Sequence, residues 1–296
     1  MTTTRPWRVS LHGGHSWPFC DHASGSLEHI LEAACERGFA TYGVTEHAPR
    51  HHDRYLYDKE RELGWTVATL EQKFDDYFRR LDELVPTFAA DLPILRGFEC
   101  EVVPDSEWAD ITTEYRRRYR PDYIVGSVHF LADLSIDGPL ELFHAALDRF
   151  GGLERLACAY YDKVAELAAT LQPEVIGHLD LVRRNGQAMG PLDTPSIRSA
   201  ARVALDEIQR AGSILDVNTA GYRKGLGSPY PAPWLVHEAL ERGIGLCFGD
   251  DSHSPDDVGA GIDEARLWLM SLGVTHVRTL RRGDSGLERV DVPLAD

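Results

Sequence analysis

Residues 11–22 read Leu-His-Gly-Gly-His-Ser-Trp-Pro-Phe-Cys-Asp-His, with three histidines within eleven positions, directly after a short apolar run. Gly13, Gly14 and Pro18 are incompatible with a regular helix, so the sequence predicts a loop that leaves a strand. Imidazole is the commonest protein ligand for zinc and related divalent metals. Taken alone, the stretch could equally be a histidine-rich loop without a function, so its meaning depends on the rest of the chain.

The rest of the chain repeats the same arrangement. Seven short apolar runs, beginning near residues 9, 42, 92, 123, 175, 213 and 245, are each followed by helical patterning. This alternation is typical of β/α units, so we expect an α/β protein with a parallel barrel. No internal linker is long or biased enough to mark a boundary. We therefore expect a single domain over residues 1–296, with a helical insert at about 139–171 that is split into two helices at residues 151–152.

Several helix boundaries are predicted from capping signals. Ser26 precedes an apolar stripe and should cap the first helix, and Thr69 with Gln72 three residues later forms a capping-box pattern. Thr194 and Pro195 predict the start of a helix that Gly212 ends. The tail is expected to contain one weak strand at 290–292. Four histidines are assigned to helix surfaces: His29, His144, His237 and His276.

Composition limits the functions that the chain could have. The net charge of −16, from 47 acidic and 31 basic residues, argues against nucleic-acid binding through a broad basic face. It does not exclude a small anionic substrate, because bound divalent cations can reverse the local potential. No apolar run approaches the ~18 residues of a membrane span, and the N-terminus lacks a secretory signal. Five scattered cysteines without a Cys-x-x-Cys pair indicate reduced thiols, so we expect a cytoplasmic protein.

The apolar runs end in residues that bind metals. In a parallel β/α barrel the C-terminal ends of all strands meet on one face, so these side chains should surround one pocket. The predicted ligands are His12, His15, His22, His47, Glu99, His129, His178, Asp251 and His253. Nine such groups are too many for one ion, so two or three divalent ions are expected, with Glu99 as the bridge. The alternative is that the histidines are core residues that only donate hydrogen bonds to backbone carbonyls. That interpretation would have to account for all nine of the predicted ligands.

The motifs that carry these residues resemble those of the polymerase-and-histidinol-phosphatase (PHP) superfamily, and within it the histidinol phosphatases of histidine biosynthesis. The resemblance runs from about Leu11 to Gly261. Its motifs are His15-Ser-x-x-Phe-Cys-Asp-His22-Ala, Val44-Thr-Glu-His47-Ala-Pro, Gly97-Phe-Glu99, Gly126-Ser-Val-His129, Ile176-Gly-His178-Leu-Asp-Leu-Val-Arg183, Asp216-Val-Asn-Thr-Ala-Gly221 and Asp251-Ser-His253. As a set the motifs are specific, whereas any one of them alone would be weak.

The resemblance implies a distorted (β/α)7 barrel, TIM-like, with a three-metal site at the C-terminal ends of the strands. It assigns the first metal to His12, His15, Glu99 and Asp251, the second to Glu99, His129 and His178, and the third to His22, His47 and His253. It also implies that Arg183 and Arg223 bind the substrate phosphate, since guanidinium matches phosphate oxygens. The neighbours Arg184 and Lys224 are alternatives for these two roles.

Two positions depart from the family pattern. The usual first motif is His-x-His, whereas two glycines separate His12 from His15 here, and His12 reaches the site only if that turn folds it back. Glu46 stands where the second motif usually has Asp, and we expect it to orient an imidazole rather than to bind metal. Cys20 lies inside the first motif and is interpreted as a packing residue.

The sequence thus predicts a phosphomonoester hydrolase, in which a hydroxide shared by two metals attacks phosphorus. The resemblance points to L-histidinol phosphate as the substrate. The alternatives are a PHP phosphoesterase acting on nucleotides or other small phosphate esters, an amidohydrolase-like C–N hydrolase, and a non-catalytic metal-binding domain. The metal, Zn, Fe or Mn, is left open by the mixed His and carboxylate ligands. Neither the general acid nor the oligomeric state is predicted.

Overall fold

The barrel is built from a seven-stranded parallel sheet, with strand order β1-β2-β3-β4-β7-β8-β9. The computed structural model describes residues 6–283 and 286–295. Within them the strands are β1 (Val9–Ser10), β2 (Thr41–His47), β3 (Ile94–Cys100), β4 (Tyr123–Gly126), β5 (Phe130–Leu131), β6 (Leu134–Ser135), β7 (Val175–Ile176), β8 (Ile214–Asn218), β9 (Leu246–Gly249), β10 (His276–Gly283) and β11 (Gly286–Pro293). The seven parallel strands are the seven predicted runs, so the expected distorted (β/α)7 barrel is confirmed.

The first and last strands meet just beyond their ends. Leu11 N donates to Phe248 O at 2.8 Å, and Asp251 N donates to His12 O at 2.9 Å. His15 N then donates to Ser252 O at 3.0 Å. These bonds bring the segment after β1 beside the end of β9 and the residues that follow it, and they nearly close the sheet into a barrel.

The helices cover the outside of the barrel. They are α1 (Leu27–Glu36), α2 (Asp58–Glu62), α3 (Val67–Phe88), α4 (Trp108–Tyr119), α5 (Leu140–Phe150), α6 (Leu153–Leu171), α7 (Arg183–Gly186), α8 (Pro195–Ala211), α9 (Ala220–Arg223), α10 (Pro233–Glu241) and α11 (Ile262–Ser271). The predicted insert is present as α5 and α6. None of the helices in the described part of the chain is both long and apolar enough to cross a membrane.

Most capping predictions hold. Ser26 accepts from His29 N, and Thr194 accepts from Ile197 N ahead of Pro195. Helix α3 begins three residues earlier than predicted. Its N-cap is Thr66 instead of Thr69, and Thr66 Oγ1 accepts a hydrogen bond from Thr69 N at 3.2 Å. Both Thr66 and Thr69 have a polar residue three positions later, so the capping-box pattern alone does not distinguish between them.

The tail differs from its prediction. Instead of one weak strand it forms an antiparallel hairpin, β10–β11, and His276 opens β10 rather than lying on a helix. Leu280 of this hairpin packs with Leu95, Tyr123 and Ile214, which come from the first two residues of their strands. The hairpin therefore covers the amino-terminal mouth of the barrel with an apolar layer, and the polar residues lie at the opposite mouth.

Candidate metal centre

The ends of the strands position the predicted ligands. His47 is the last residue of β2, Glu99 is the next-to-last residue of β3, and His178 follows β7 by two residues. Asp251 follows β9 by two residues, in a left-handed backbone conformation with φ of 48°. The parallel register pairs His47 with Glu99, which places these two side chains side by side at the carboxyl mouth.

Glu99 lies at the centre of the cluster and is almost completely buried. Its Oε1 is 3.0 Å from His178 Nε2, 3.2 Å from His12 Nε2 and 3.6 Å from His129 Nε2. Its Oε2 is 2.8 Å from His47 Nδ1. One carboxylate thus faces four imidazoles with different oxygens, which is the arrangement that a bridging ligand requires.

The other predicted ligands stack beside this centre. The ring of His15 lies 4.2 Å from that of His47 and 4.3 Å from that of His253, and His22 lies 4.7 Å from His253. Asp251 Oδ1 is 3.6 Å from His15 Nε2. The structure therefore brings all nine predicted side chains into one cluster.

Three buried carboxylates, which are not among the predicted ligands, contact the imidazoles of the cluster. Glu46 Oε1 lies 3.2 Å from His15 Nδ1, as expected for a residue that positions a ligand. Glu101 and Asp216, which the sequence analysis did not assign, approach His129 Nδ1 at 3.0 Å and His12 Nδ1 at 2.8 Å. Glu101 could have been found from its position two residues after Glu99, on the same face of the strand.

The Gly-Gly turn does fold His12 back into the cluster. Gly13 has a φ of 153° and Gly14 of 80°, and a Cβ at Gly13 would lie 2.0 Å from Asp250 Oδ1. Thr45 and Ser252 accept from the two glycine N–H groups, at 3.1 and 3.0 Å. The turn is therefore fixed by hydrogen bonds, and only glycine has room at its first position.

The cluster perturbs its own titration. Burial opposes ionisation of Glu99, but positive charge on His12 and His129 holds its pKa well below the usual range. Burial and then the charge of His15 lower the pKa of His253 well below its usual range. A neutral His253 and an ionised Glu99 are the protonation states in which these side chains bind a cation.

The donor atoms also lack other partners. His15 Nε2, His47 Nε2 and His253 Nε2 are buried and make no hydrogen bond within the described residues. Buried polar atoms are normally satisfied, so these residues fit divalent metal ions. Within the described residues, four groups of side chains have ligand atoms close enough together to hold an ion: His12, His15 and Asp251; His12, Glu99 and His178; His15, His47 and Glu99; and Cys20, His22, His47 and His253. The last group includes Cys20, whose Sγ lies 3.3 Å from His22 Nδ1.

A cavity of about 940 Å³ lies above the cluster. His22, His47, Glu99 and His178 are among the residues on its floor. Its lining carries four basic residues: Arg54, which pairs with Asp133 at 3.1 Å, and a group of three, Arg184, Arg223 and Lys224, which form its cationic wall. Burial, and then the charge of Arg184, lower the pKa of Lys224.

The structure does not bring Arg183 to this cavity. Its guanidinium donates to Ser228 Oγ at 2.9 Å and to Pro229 O at 2.6 Å, and its Nε pairs with Asp180 at 3.3 Å. Arg184 lines the cavity instead and pairs with Asp137 at 3.3 Å. Adjacent residues in the short helix α7 point in different directions, and the sequence could not distinguish between them.

A β/α barrel that gathers histidines and carboxylates at its carboxyl mouth defines the class, a metal-binding barrel of the hydrolase type. The family model described as "PHP domain" matches residues 12–220. A protein of Schizosaccharomyces pombe named "Probable histidinol-phosphatase" is 32% identical over 94% of this chain and 91% of its own length. The histidinol-phosphatase of Bacillus subtilis is 30% identical over 82% of this chain and 92% of its own. The chain belongs to the PHP domain family.

Solved structures share the fold. The crystal structure of hisK from Listeria monocytogenes has a TM-score of 0.75 and 28% identity, covering 86% of this chain and 99% of that one. Histidinol phosphate phosphatase from Lactococcus lactis, solved with Zn, L-histidinol and phosphate, has a TM-score of 0.71 at 18% identity, covering 92% and 96%. These likenesses confirm the (β/α)7 barrel.

Proposed function

We propose that the protein hydrolyses L-histidinol phosphate to L-histidinol and phosphate. One observation carries the proposal: nine ligand-type side chains converge around Glu99 beneath a cavity that carries Arg184, Arg223 and Lys224 on its wall. The substrate comes from the relatives, which are named histidinol phosphatases and align over most of both chains. The reaction class follows from the site, because metals and cations together stabilise charge on a transferring phosphoryl group.

We assign the nine residues as the resemblance does, to three ions, of which Glu99 would be shared by the first and the second. Bound Zn, Fe or Mn would supply Lewis acidity and an activated water for attack on phosphorus. The chain itself contributes the alignment of the imidazoles, through Glu46 beside His15 and Glu101 beside His129. The complex of the Lactococcus protein with Zn supports zinc as one such ion.

The phosphate is bound by the cationic wall. We propose Arg184 and Arg223 as its guanidinium ligands, with Lys224 beside them. Arg223 is anchored because it donates to Asp250 O and Asp251 O, at 2.8 and 2.9 Å, so its charge is held at the edge of the metal cluster. Arg183 is assigned a structural role, because Ser228, Pro229 and Asp180 occupy its guanidinium.

The same cavity can accept the rest of the substrate. Its wall carries the aromatic rings of Tyr55, Phe130 and Tyr230 together with the carboxylates of Asp133 and Asp137. Aromatic faces suit an imidazole ring, and carboxylates suit an ammonium group. We further propose that the chain acts as one domain in the cytoplasm on this small molecule and not on nucleic acid, in keeping with its free thiols and its charge of −16.

The test is an assay of metal-loaded protein. Phosphate release from L-histidinol phosphate, a nucleoside monophosphate and a simple alkyl phosphate should be compared at equal concentrations with Zn, Fe or Mn. We expect kcat/KM for L-histidinol phosphate to exceed the others by at least about tenfold, the minimum for a pocket that recognises the leaving group. Efficient turnover of the nucleotide without turnover of L-histidinol phosphate would overturn the substrate. Absence of hydrolysis with all three substrates and metals would overturn the reaction.

A further inference from the structure

The motif Asp216-Val-Asn-Thr-Ala-Gly221 has no role in the metal assignment, although it lies at the centre of the barrel. Asp216 and Asn218 belong to β8 and are two residues apart, so both side chains point to the same face. Both residues are completely buried. A buried carboxylate needs partners, and the partners of Asp216 reveal its function.

Those partners are the predicted ligands of the metal centre. Asp216 Oδ2 is 2.8 Å from His12 Nδ1 and accepts from the backbone N–H of His178 at 3.3 Å. Asn218 Nδ2 donates to the same oxygen at 2.9 Å and lies 3.4 Å from Asp251 Oδ2. A pair of side chains on one strand therefore contacts three predicted ligands that come from three other strand ends.

The backbone of two neighbouring strand ends packs closely against the side chain of His12. A Cβ at Gly249 would lie 2.2 Å from Asp216 Oδ1 and 2.8 Å from the Cβ of His12, and a Cβ at Gly177 would lie 3.1 Å from His12 Cε1. Two neighbouring strand ends thus lack a side chain where the His12 ring and the Asp216 carboxylate meet. The contact between these two groups is built into the barrel.

We infer that Asp216 is a positioning residue that makes the His-Gly-Gly-His spacing usable. By accepting the proton of His12 Nδ1 it fixes the tautomer in which Nε2 is a free electron-pair donor, and it turns that atom toward Glu99, 3.2 Å away. Asn218 holds the carboxylate in place and links it to Asp251. The inference rests on the proposed metal centre and adds to it the residue that holds its least regular ligand.

The experiment measures metal content as well as rate. Wild-type protein and the Asp216→Asn variant are stripped, reloaded with Zn and analysed by mass spectrometry, and Zn affinities are measured by competition with a chromophoric chelator. We expect Asp216→Asn to weaken one Zn class by about 10–100-fold, the usual effect of removing an oriented partner of a ligand, while the remaining Zn stays bound. Loading with Co should show a changed visible spectrum in the variant, which loss of stability alone would not produce.

Two further variants keep the inference testable if Asp216→Asn is poorly folded. Gly249→Ala keeps the Asp216 carboxylate but pushes it away from His12, because the new Cβ would lie 2.2 Å from Asp216 Oδ1, so it should reproduce the loss of the same Zn class. Asp180→Asn is the control: Asp180 is also buried, it pairs with Arg183 and accepts from Ala232 N, and it should keep wild-type Zn content. Unchanged Zn affinity in folded Asp216→Asn overturns the inference and leaves the proposed function standing. Wild-type protein that binds no metal overturns the proposed function itself.

Discussion

The floor and the wall of the cavity are built in different ways. The floor consists of residues at strand ends, whose positions are set by a parallel sheet with a fixed register. The wall consists of residues from short helices and loops, such as Arg184 in α7 and Arg223 in α9. At a strand end the register of the sheet fixes where a side chain lies, whereas adjacent side chains of a one-turn helix point about 100° apart around its axis. The sheet therefore determines the metal centre, and the loops determine the substrate contacts.

Removing the bridge of the floor should have the largest effect. Replacement of Glu99 by Gln takes away the charge that faces four imidazoles and leaves them closely packed without a counter-charge. We expect a loss of at least about 10³-fold in kcat/KM, since both metal binding and charge stabilisation fail, and fewer than two Zn per chain by mass spectrometry. Normal Zn content in this variant would show that Glu99 is not the bridge.

Weakening the wall should cost less and should act mainly on substrate binding. We expect Arg184→Ala and Arg223→Ala each to raise KM for L-histidinol phosphate, with a loss of about 10–100-fold in kcat/KM, the value of a charge-assisted contact of roughly 1.5–3 kcal/mol. Zn content should stay unchanged in Arg184→Ala, as measured in the same samples. An unchanged KM for both variants would show that Arg184 and Arg223 do not bind the substrate phosphate.

The two neighbouring arginines sharpen the comparison further. Arg183→Lys cannot retain the two hydrogen bonds to Ser228 and Pro229 in the same geometry. Its main effect should therefore be on folding, with destabilisation of about 1–3 kcal/mol from the unsatisfied buried groups, read from urea unfolding. Its KM should remain within a few-fold of wild type. A larger increase in KM than that of Arg184→Ala would show that Arg183, and not Arg184, binds the substrate phosphate.

The smallest effect on activity is expected at the opposite mouth. Leu280→Ala leaves a gap in the apolar layer that closes the barrel, and we expect a loss of about 2–4 kcal/mol in the free energy of unfolding. Zn content and KM of the folded fraction should match wild type. A specific loss of metal in this variant would show that the two mouths are coupled.

The same contrast explains how much the sequence could predict. All nine side chains of the cluster could be predicted: seven lie at a strand end or within four residues after it, and His15 and His22 lie farther along the loop after β1, in the first motif of the family. Asp216 was missed because it lies inside its strand, among residues that read as core. Arg183 and Arg184 could not be separated, because neither the orientation of α7 nor the hydrogen-bond acceptors of residues 228–229 can be read from spacing. Of the β10–β11 hairpin, only part of β11 was predicted, because the arginines within β10 interrupt the alternation of apolar and polar residues that identifies a strand.

The bonds between the segments after β1 and after β9 have a consequence for how the site comes into being. Leu11, His12 and His15 meet their partners at Phe248, Asp251 and Ser252, almost the whole length of the chain away. Contacts of such long sequence separation form late, because a large loop must close first. During synthesis on the ribosome, the histidines of the first segment must wait for nearly all of the chain before Asp251 and His253 can join them. Uptake of a full complement of metal therefore requires that the chain has been made at least as far as His253 and that its barrel has closed.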